Sequence, residues 1–289
     1  MGFLNGIRSI LSGGKLHVPS RFALLRTGIA GTMSKFYMAR DLRTQQIVGL
    51  KILDREKTLA FEARFKGLSK PSEGEIAMQL AHPRIVKTFE YGRTTDDEPY
   101  LVMEYIDGPN LNTVLVSQDP LLEGRRVRFI RQAAEALAAV HQAGFIHRDV
   151  CPRNFLVCAN QNDLKLIDFG LTVPAMRPFL LPGNRTGTPN YMAPELVRRQ
   201  PTDQRVDIFA LGVAAFELLT GELPWARGTT GMAAMTHDQP PADIRKYCPN
   251  IHPKLAKAIA ACLLPDPAKR CPSVARFISA ISSVEQEEV

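Results

Sequence analysis

Cysteine is scarce in this 289-residue chain, and no two of its cysteines form a Cys-x-x-Cys pair. The five are Cys151, Cys158, Cys248, Cys262 and Cys271. An odd number of cysteines without that spacing fits neither a disulfide framework nor a zinc ribbon. The pattern therefore favours a reducing compartment, and we expect a cytoplasmic location.

A long hydrophobic run is also missing. The most apolar stretch, residues 208–219, is interrupted by Glu217 and is shorter than the roughly 20 residues that a membrane span requires. We therefore expect no transmembrane segment, and we interpret this stretch as part of a buried helix.

The charge pattern does not indicate one class of partner. The net charge is +7, but the basic residues are scattered apart from one cluster at residues 125–131. We interpret this cluster as a solvated helix face. Aromatic residues do not interleave with the basic ones and no zinc-finger spacing occurs, so nucleic acid is not expected as a partner.

The apolar periodicity changes near residue 108. Short runs typical of β-strands occupy residues 21–103, with one helical interval among them. Longer helical segments follow, most clearly at residues 125–143 and 207–220, each with a glycine directly after it. The sequence predicts a small, sheet-rich lobe followed by a larger helical one.

The N-terminal segment has a pattern of its own. Phe3, Leu4, Ile7, Ile10 and Leu11 recur at helical spacing before a Gly-Gly pair. This spacing predicts a short amphipathic helix that packs on the domain or contacts a partner.

Two features of the sheet-rich part suggest a phosphate site. Residues 26–41 join two strand-like runs through small residues, which let backbone N–H groups approach phosphate oxygens, although a hairpin without a ligand has the same pattern. Lys51 lies inside an apolar strand pattern, where an unpaired cation is costly to bury. Glu73 or Glu75 could be its partner, and a solvent-exposed strand lysine is the alternative.

The strongest chemical signal is the octet H-R-D-V-C-P-R-N at residues 147–154. Asp149 can accept a proton from a hydroxyl group. Asn154, together with Asp168 in the later run L-K-L-I-D-F-G, offers the oxygen ligands that Mg²⁺ prefers. The spacing thus indicates phosphoryl transfer in a cleft shared by two lobes.

These motifs, together with G-T-P-N-Y-M-A-P-E at residues 187–195, occur in the order found in one family, from about residue 21 to residue 281. The chain resembles a eukaryotic-type (Hanks-type) protein serine/threonine kinase domain of the bacterial kind. The resemblance implies an α+β, two-lobed fold, with a small antiparallel β-sheet and one main helix in the N-terminal lobe and a larger, mainly helical C-terminal lobe. The implied boundaries are 1–20 for an N-terminal segment, 21–103 for the N-lobe, 104–108 for the hinge, 109–284 for the C-lobe and 285–289 for an acidic tail.

The resemblance also implies ATP and Mg²⁺ as cofactors and assigns roles to residues. Asp149, Arg153 and Lys51 are the expected catalytic residues, and Asn154 and Asp168 the expected metal ligands. The expected nucleotide-binding residues are Gly31, Ser34, Gly49, Lys51, Glu73, Met103, Glu104, Ile106, Asn154 and Asp168. Glu73 is favoured over Glu75 as the partner of Lys51. A Glu195–Arg270 ion pair and a brace from Asp207 to the catalytic loop are expected as scaffold.

Two departures from the family pattern bear on how phosphate is bound. Ile29 stands where the first glycine of the nucleotide flap usually is, and Cys151 stands where serine/threonine kinases usually have a lysine. A thiol is mostly neutral at cell pH and cannot replace a fixed cation. Arg153 is where tyrosine kinases place an arginine, and we expect it to supply the missing charge.

The function implied is a kinase that phosphorylates serine and threonine in proteins, including itself. Thr188 could bond Asp149 as in serine/threonine kinases. Arg148 would hold a phosphate on the activation segment, at Thr186 or Thr172. Two alternatives stay open: a pseudokinase that binds nucleotide or a partner without turnover, and a small-molecule phosphotransferase.

Overall fold

The computed structural model describes residues 15–26, 28–181, 186–228 and 233–284. The expected amphipathic segment at residues 3–11 and the acidic tail at 285–289 lie outside these ranges. The chain divides into two compact units, one of residues 1–81 with 86–106 and one of 82–85 with 107–289.

The division between the units differs in one place from the expected lobe boundaries. Residues 82–85 belong to the second unit, although the N-lobe was expected to run through residue 103. The reason is a local strand-like contact, in which Ile85 bridges Leu166 and the Leu166 amide donates to the Arg84 carbonyl at 2.8 Å.

The first unit is built on an antiparallel sheet. Its strands are β1 Phe22–Leu24, β2 Ile29–Ala30, β3 Ser34–Asp41, β4 Ile47–Leu53, β5 Thr88–Arg93 and β6 Pro99–Glu104. The order is β1-β3-β4-β6-β5, and β2 pairs with β3. Strand β5 is therefore at one edge of the sheet.

The helices of this unit are α1 Val18–Arg21, α2 Arg55–Glu62 and α3 Glu73–Gln79. One main helix was expected, but α2 is a helix of comparable length, capped by the Asp54 side chain, which accepts a hydrogen bond from the Lys57 amide at 3.0 Å. Helix α3 begins with a capping box: the Ser72 hydroxyl accepts from the Glu75 amide, and the Glu75 carboxylate accepts from the Ser72 amide.

A hydrophobic cluster of the first unit joins the sheet to the start of the described chain. Its buried members are Leu16, Phe22, Ala39, Val48, Leu50, Tyr100 and Val102. A polar network adjoins the cluster. The Arg21 guanidinium donates to both Glu90 oxygens at 2.7 and 2.8 Å and to Asp41 at 3.1 Å, so that these buried charges have partners.

The second unit is mainly helical. Its helices are α4 Leu111–Val116, α5 Arg126–Gln142, α6 Pro194–Val197, α7 Arg205–Thr220, α8 Pro253–Cys262 and α9 Val274–Ala280. Two short antiparallel pairs join β7 Phe145–Ile146 to β10 Val173–Pro174 and β8 Phe155–Val157 to β9 Leu164–Leu166. The predicted α+β class, with a sheet-rich first part and a helical second part, is confirmed.

Helix α7 forms the centre of the second unit. Every residue from 206 to 219 is buried, which confirms the interpretation of the apolar run as a buried helix. The helix ends at Gly221, whose φ of 76° closes it in the left-handed conformation that glycine accepts readily. Within the described ranges, none of the helices combines the length and the apolar character needed to cross a membrane.

The basic cluster at residues 125–131 is not a solvated face, and that interpretation was wrong. Each of its four arginines is half-buried and donates to an acceptor far away in sequence. The acceptors are the Asn162 side chain for Arg125 and Arg128, the Leu218 carbonyl for Arg126, and the Ile281 and Val284 carbonyls for Arg131. The cluster therefore ties α5 to the rest of its unit.

The expected Glu195–Arg270 ion pair is present and fully desolvated. The two guanidinium nitrogens reach the two carboxylate oxygens at 2.6 and 2.9 Å, and the side chains are 3% and 0% exposed. Arg270 also donates to the carbonyls of Arg205, Leu264 and Pro265. This pair fixes the end of the 187–195 motif to the helical unit.

Replacing Glu195 with glutamine should lower the free energy of unfolding by about 3–5 kcal/mol, because it leaves a buried guanidinium without a countercharge. Urea denaturation of the purified proteins measures the difference. The control is Asp238→Asn, which breaks the half-exposed Arg198–Asp238 pair and should cost at most about 1 kcal/mol. Equal losses in the two variants would contradict this account.

Candidate active site

The Asp149 carboxylate of the second unit accepts hydrogen bonds at both of its oxygens, from Thr188 and from Asn154. Oδ1 accepts hydrogen bonds from the Thr188 amide at 2.9 Å and the Thr188 hydroxyl at 2.7 Å. Oδ2 accepts from Nδ2 of Asn154 at 2.9 Å. The side chain remains half-buried, so the carboxylate is held in one orientation while part of it stays accessible.

Asp207 of α7 holds the loop at residues 147–154 through hydrogen bonds to its backbone. Its buried carboxylate accepts from the amides of His147 and Arg148, both at 2.8 Å, and contacts Nε2 of His141 at 2.9 Å. Burial alone would raise the pKa of Asp207, but the hydrogen bond from His141 and the nearby positive groups lower it overall. The brace holds Arg148 at a φ of 67°, which a non-glycine residue seldom adopts.

A hairpin brings Asn154 and Asp168 together. Asn154 ends the turn that leads into β8, and Asp168 follows the end of β9. Phe155 pairs with Leu166 in the antiparallel register, and the Ile167 amide donates to the Asn154 carbonyl at 2.8 Å. Both residues therefore lie at the same end of the hairpin.

The side-chain oxygens at this end of the hairpin suit a Mg²⁺ ion that is also bound by phosphate oxygens. Nδ2 of Asn154 donates to the backbone carbonyl and to the carboxylate of Asp149. Oδ1 of Asn154 is therefore the atom of this side chain that could bind a metal ion. In the described part of the chain, no group of three or more His, Cys, Asp or Glu side chains could hold a metal ion by itself. Mg²⁺ commonly binds through one or two protein oxygens plus phosphate oxygens and water, and Asn154 and Asp168 fit that requirement.

In the first unit, Lys51 of β4 pairs with Glu73 of α3. Their Nζ and Oε1 atoms are 2.5 Å apart, and the side chains are 9% and 8% exposed. Glu75, the alternative partner, is engaged in the capping box of the same helix. Lys51 is therefore not a solvent-exposed strand lysine, and its charge is compensated inside the unit.

The small-residue loop of the first unit forms a tight turn between β2 and β3. The Gly31 amide donates to the Ser34 carbonyl at 2.7 Å. A Cβ at Gly49 would lie 2.7 Å from the Phe36 ring and 3.1 Å from Cγ of Met103. The sequence motifs did not predict a role for Phe36. The available signal was Gly49, because a glycine within an apolar strand indicates that another group approaches the backbone closely.

The hinge residues lie where β6 ends. Met103 is buried, and Glu104 is the last residue of the strand. The Glu104 amide donates to the Lys87 carbonyl at 2.9 Å, and its carboxylate accepts from the Lys87 amide at 2.7 Å. Ile106 lies two residues beyond the strand, so its backbone is outside the β-ladder.

Cys151 and Arg153 both approach the Thr188 hydroxyl. The Cys151 thiol is 1% exposed and 3.7 Å from it. Burial, assisted by the negative charge of Asp149, raises the pKa of Cys151 to about 12, so the thiol stays neutral. Nη2 of the exposed Arg153 donates to the same hydroxyl at 3.1 Å. The fixed positive charge here thus comes from Arg153.

Arg148 is a buried cation with spare donors. Its Nη2 donates to the Phe179 carbonyl at 2.8 Å, while its Nε and Nη1 have no partner among the described residues. Burial lowers the pKa of Arg148 to about 10. Thr172 is fully buried with its hydroxyl 3.4 Å from the His147 carbonyl, and the buried Thr186 hydroxyl has no partner in the described ranges.

Comparison with known proteins gives the family. The model of the protein kinase domain matches residues 28–280. The chain is 34% identical to the serine/threonine-protein kinase pkn3 of Myxococcus xanthus over 274 residues, which are 89% of this chain and 48% of that protein.

Two further relatives agree. PknB of Mycolicibacterium smegmatis is 32% identical over 275 residues, covering 90% of this chain and 42% of that protein. PrkC of Bacillus subtilis is 30% identical over 257 residues, covering 88% and 39%. The chain thus spans less than half the length of these curated relatives. It belongs to the protein kinase family, and its domain is similar to those of bacterial serine/threonine kinases.

Proposed function

We propose that this chain is a protein kinase that transfers the γ-phosphate of ATP, with Mg²⁺, to serine and threonine hydroxyls of proteins, including its own. One observation carries the proposal: Asp149 is held by Asn154 and Thr188 with one side open, as a base for a hydroxyl substrate requires. The names of the relatives support the same acceptor class.

In the proposed reaction, the Asp149 carboxylate accepts the proton of the substrate hydroxyl while that oxygen bonds to the terminal phosphorus, and ADP leaves. Asn154 and Asp168 would hold Mg²⁺, which neutralises phosphate charge when it is bound. Lys51, oriented by its ion pair with Glu73, would bind the nucleotide phosphates together with the turn that contains Gly31 and Ser34.

The adenine end of the nucleotide would be bound in the first unit. The backbone groups of Glu104 and Ile106 would meet the base edge, with Met103 behind the base. Gly49 and Phe36 would form one wall, in which a large ring compensates for the missing side chain of the glycine.

Autophosphorylation is proposed at Thr186 in preference to Thr172. Thr172 is completely buried, and its hydroxyl is directed at a carbonyl. Thr186 is also buried, but its hydroxyl has no partner among the described residues and is not directed at a carbonyl. The spare donors of Arg148 support a role in binding the phosphate that such a modification would add.

Incubation of the purified chain with ATP, Mg²⁺ and a generic basic protein should place phosphate on serine and threonine, with Thr186 among the modified sites. Mass spectrometry locates the phosphate. Asp149→Asn keeps the shape of the side chain but removes the base, and should abolish transfer. Nucleotide binding without transfer would indicate a pseudokinase, and transfer only to an aminoglycoside would indicate a small-molecule phosphotransferase.

Replacing Arg153 with alanine should lower kcat by about 100-fold, the usual loss for one charged group acting on the transition state. Arg153→Lys should recover part of the rate, since it keeps the charge. Cys151→Ala, which removes a neutral thiol, should change kcat only a few-fold. Initial rates at saturating ATP test this, and equal, small effects of the two alanine substitutions would refute the role given to Arg153.

The two glutamates at the start of α3 should behave differently. Glu73→Gln removes the carboxylate that pairs with the Lys51 ammonium and should raise the KM for ATP and lower kcat. Glu75→Gln, the matched control, weakens only the capping box and should cost about 1 kcal/mol of stability with little change in kinetics. Steady-state kinetics separate the two, and the reverse pattern would assign the Lys51 partner to Glu75.

A further inference from the structure

A groove lies on the outer side of α3 in the first unit. Its volume is about 600 Å³, and it is lined by residues 69–71, by Glu75, Met78 and Gln79 of α3 and by Tyr91 of β5. The three helix residues are three and four positions apart and so share one face. Met78 is 37% exposed there, so this face of α3 offers an apolar side chain to an occupant.

The described chain begins beside the same strand. Leu16 forms a parallel bridge with Thr94: its amide donates to the Arg93 carbonyl and its carbonyl accepts from the Thr95 amide, both at 2.9 Å. Strand β5 is the edge strand of the sheet, so the chain start is attached to the edge that α3 contacts. Because the bridge is parallel, the described chain enters it, at Lys15, from the side of β5 on which Tyr91 lies.

The sequence before Leu16 suits the groove in pattern and in length. A helix over residues 3–11 would carry the five apolar side chains named above on one face, with Asn5 and Ser9 on the opposite face. Residues 12–15 can span up to about 14 Å when extended, whereas Tyr91 is about 10 Å along the strand from Thr94. Residues 12–15 are therefore long enough to connect the start of the described chain to a helix in the groove.

We propose that residues 3–11 dock their apolar face into this groove of their own chain, as an amphipathic helix in a groove. A tether this short gives an effective concentration in the millimolar range, which favours the same chain over a second copy. Helix α3 carries Glu73, so docking would also hold the Lys51–Glu73 pair in place. That consequence for catalysis rests on the proposed kinase activity, but the docking itself does not.

Methionine oxidation by dilute hydrogen peroxide, followed by mass spectrometry of the full chain, tests the docking without any turnover. Met78 should be oxidised about fivefold more slowly than Met176, which is 55% exposed, if the segment covers it. In an Ile7→Glu, Ile10→Glu variant, the Met78 rate should rise to about that of Met176. The matched control Asn5→Glu, Ser9→Glu adds the same charge to the opposite face and should leave Met78 protected.

Met103, which is 7% exposed, reports whether the unit stays folded and should remain protected in every variant. Equal oxidation rates of Met78 in all three proteins would overturn the proposal. So would protection that disappears on dilution, because a second copy would then occupy the groove. An inactive chain with a protected Met78 would instead contradict the proposed function alone.

Discussion

The carboxylate of Asp207 is the interaction on which the catalytic loop depends. A buried charge is costly unless it is well bonded, and here the His147 and Arg148 amides and the His141 ring satisfy it. In return, the loop is held with Arg148 in a left-handed conformation that costs of order 1–3 kcal/mol in a non-glycine residue. Because this turn directly precedes Asp149, the brace decides where the base points and which groups can reach it.

The Thr188 hydroxyl connects the base to the positive charge beside it. It donates to Asp149 and accepts from Arg153, and the thiol of Cys151 lies behind it. Arg153, the residue proposed to replace the charge of the usual lysine, lies two positions after Cys151. Lys51 of the first unit is positioned independently of these groups, because the capping box engages Glu75 while Glu73 pairs with Lys51.

Spaced motifs made much of this predictable. The octet, the run that contains Asp168, and the distant Glu195 and Arg270 each have a fixed spacing, because each group must reach its partner through short, regular elements. What the sequence could not supply was the identity of distant acceptors. The arginines at residues 125–131 look like a solvated face until Asn162, Ile281 and Val284 are brought to them by the fold. The choice between Glu73 and Glu75 likewise depended on which of them caps the helix.

The most direct test of this account is the steady-state kinetics of Asp207→Asn, with circular dichroism confirming that the chain is folded. The Asp207 carboxylate accepts hydrogen bonds from the His147 and Arg148 amides at its two oxygens. The NH₂ group of an asparagine would face one of these amides with another donor, so the loop should lose its conformation. We expect kcat to fall by about 100-fold with a smaller change in the KM for ATP, because the groups proposed to contact the phosphates and adenine directly belong to the first unit and only the proposed Mg²⁺ ligands belong to the second. An unchanged kcat in a folded protein would contradict the account.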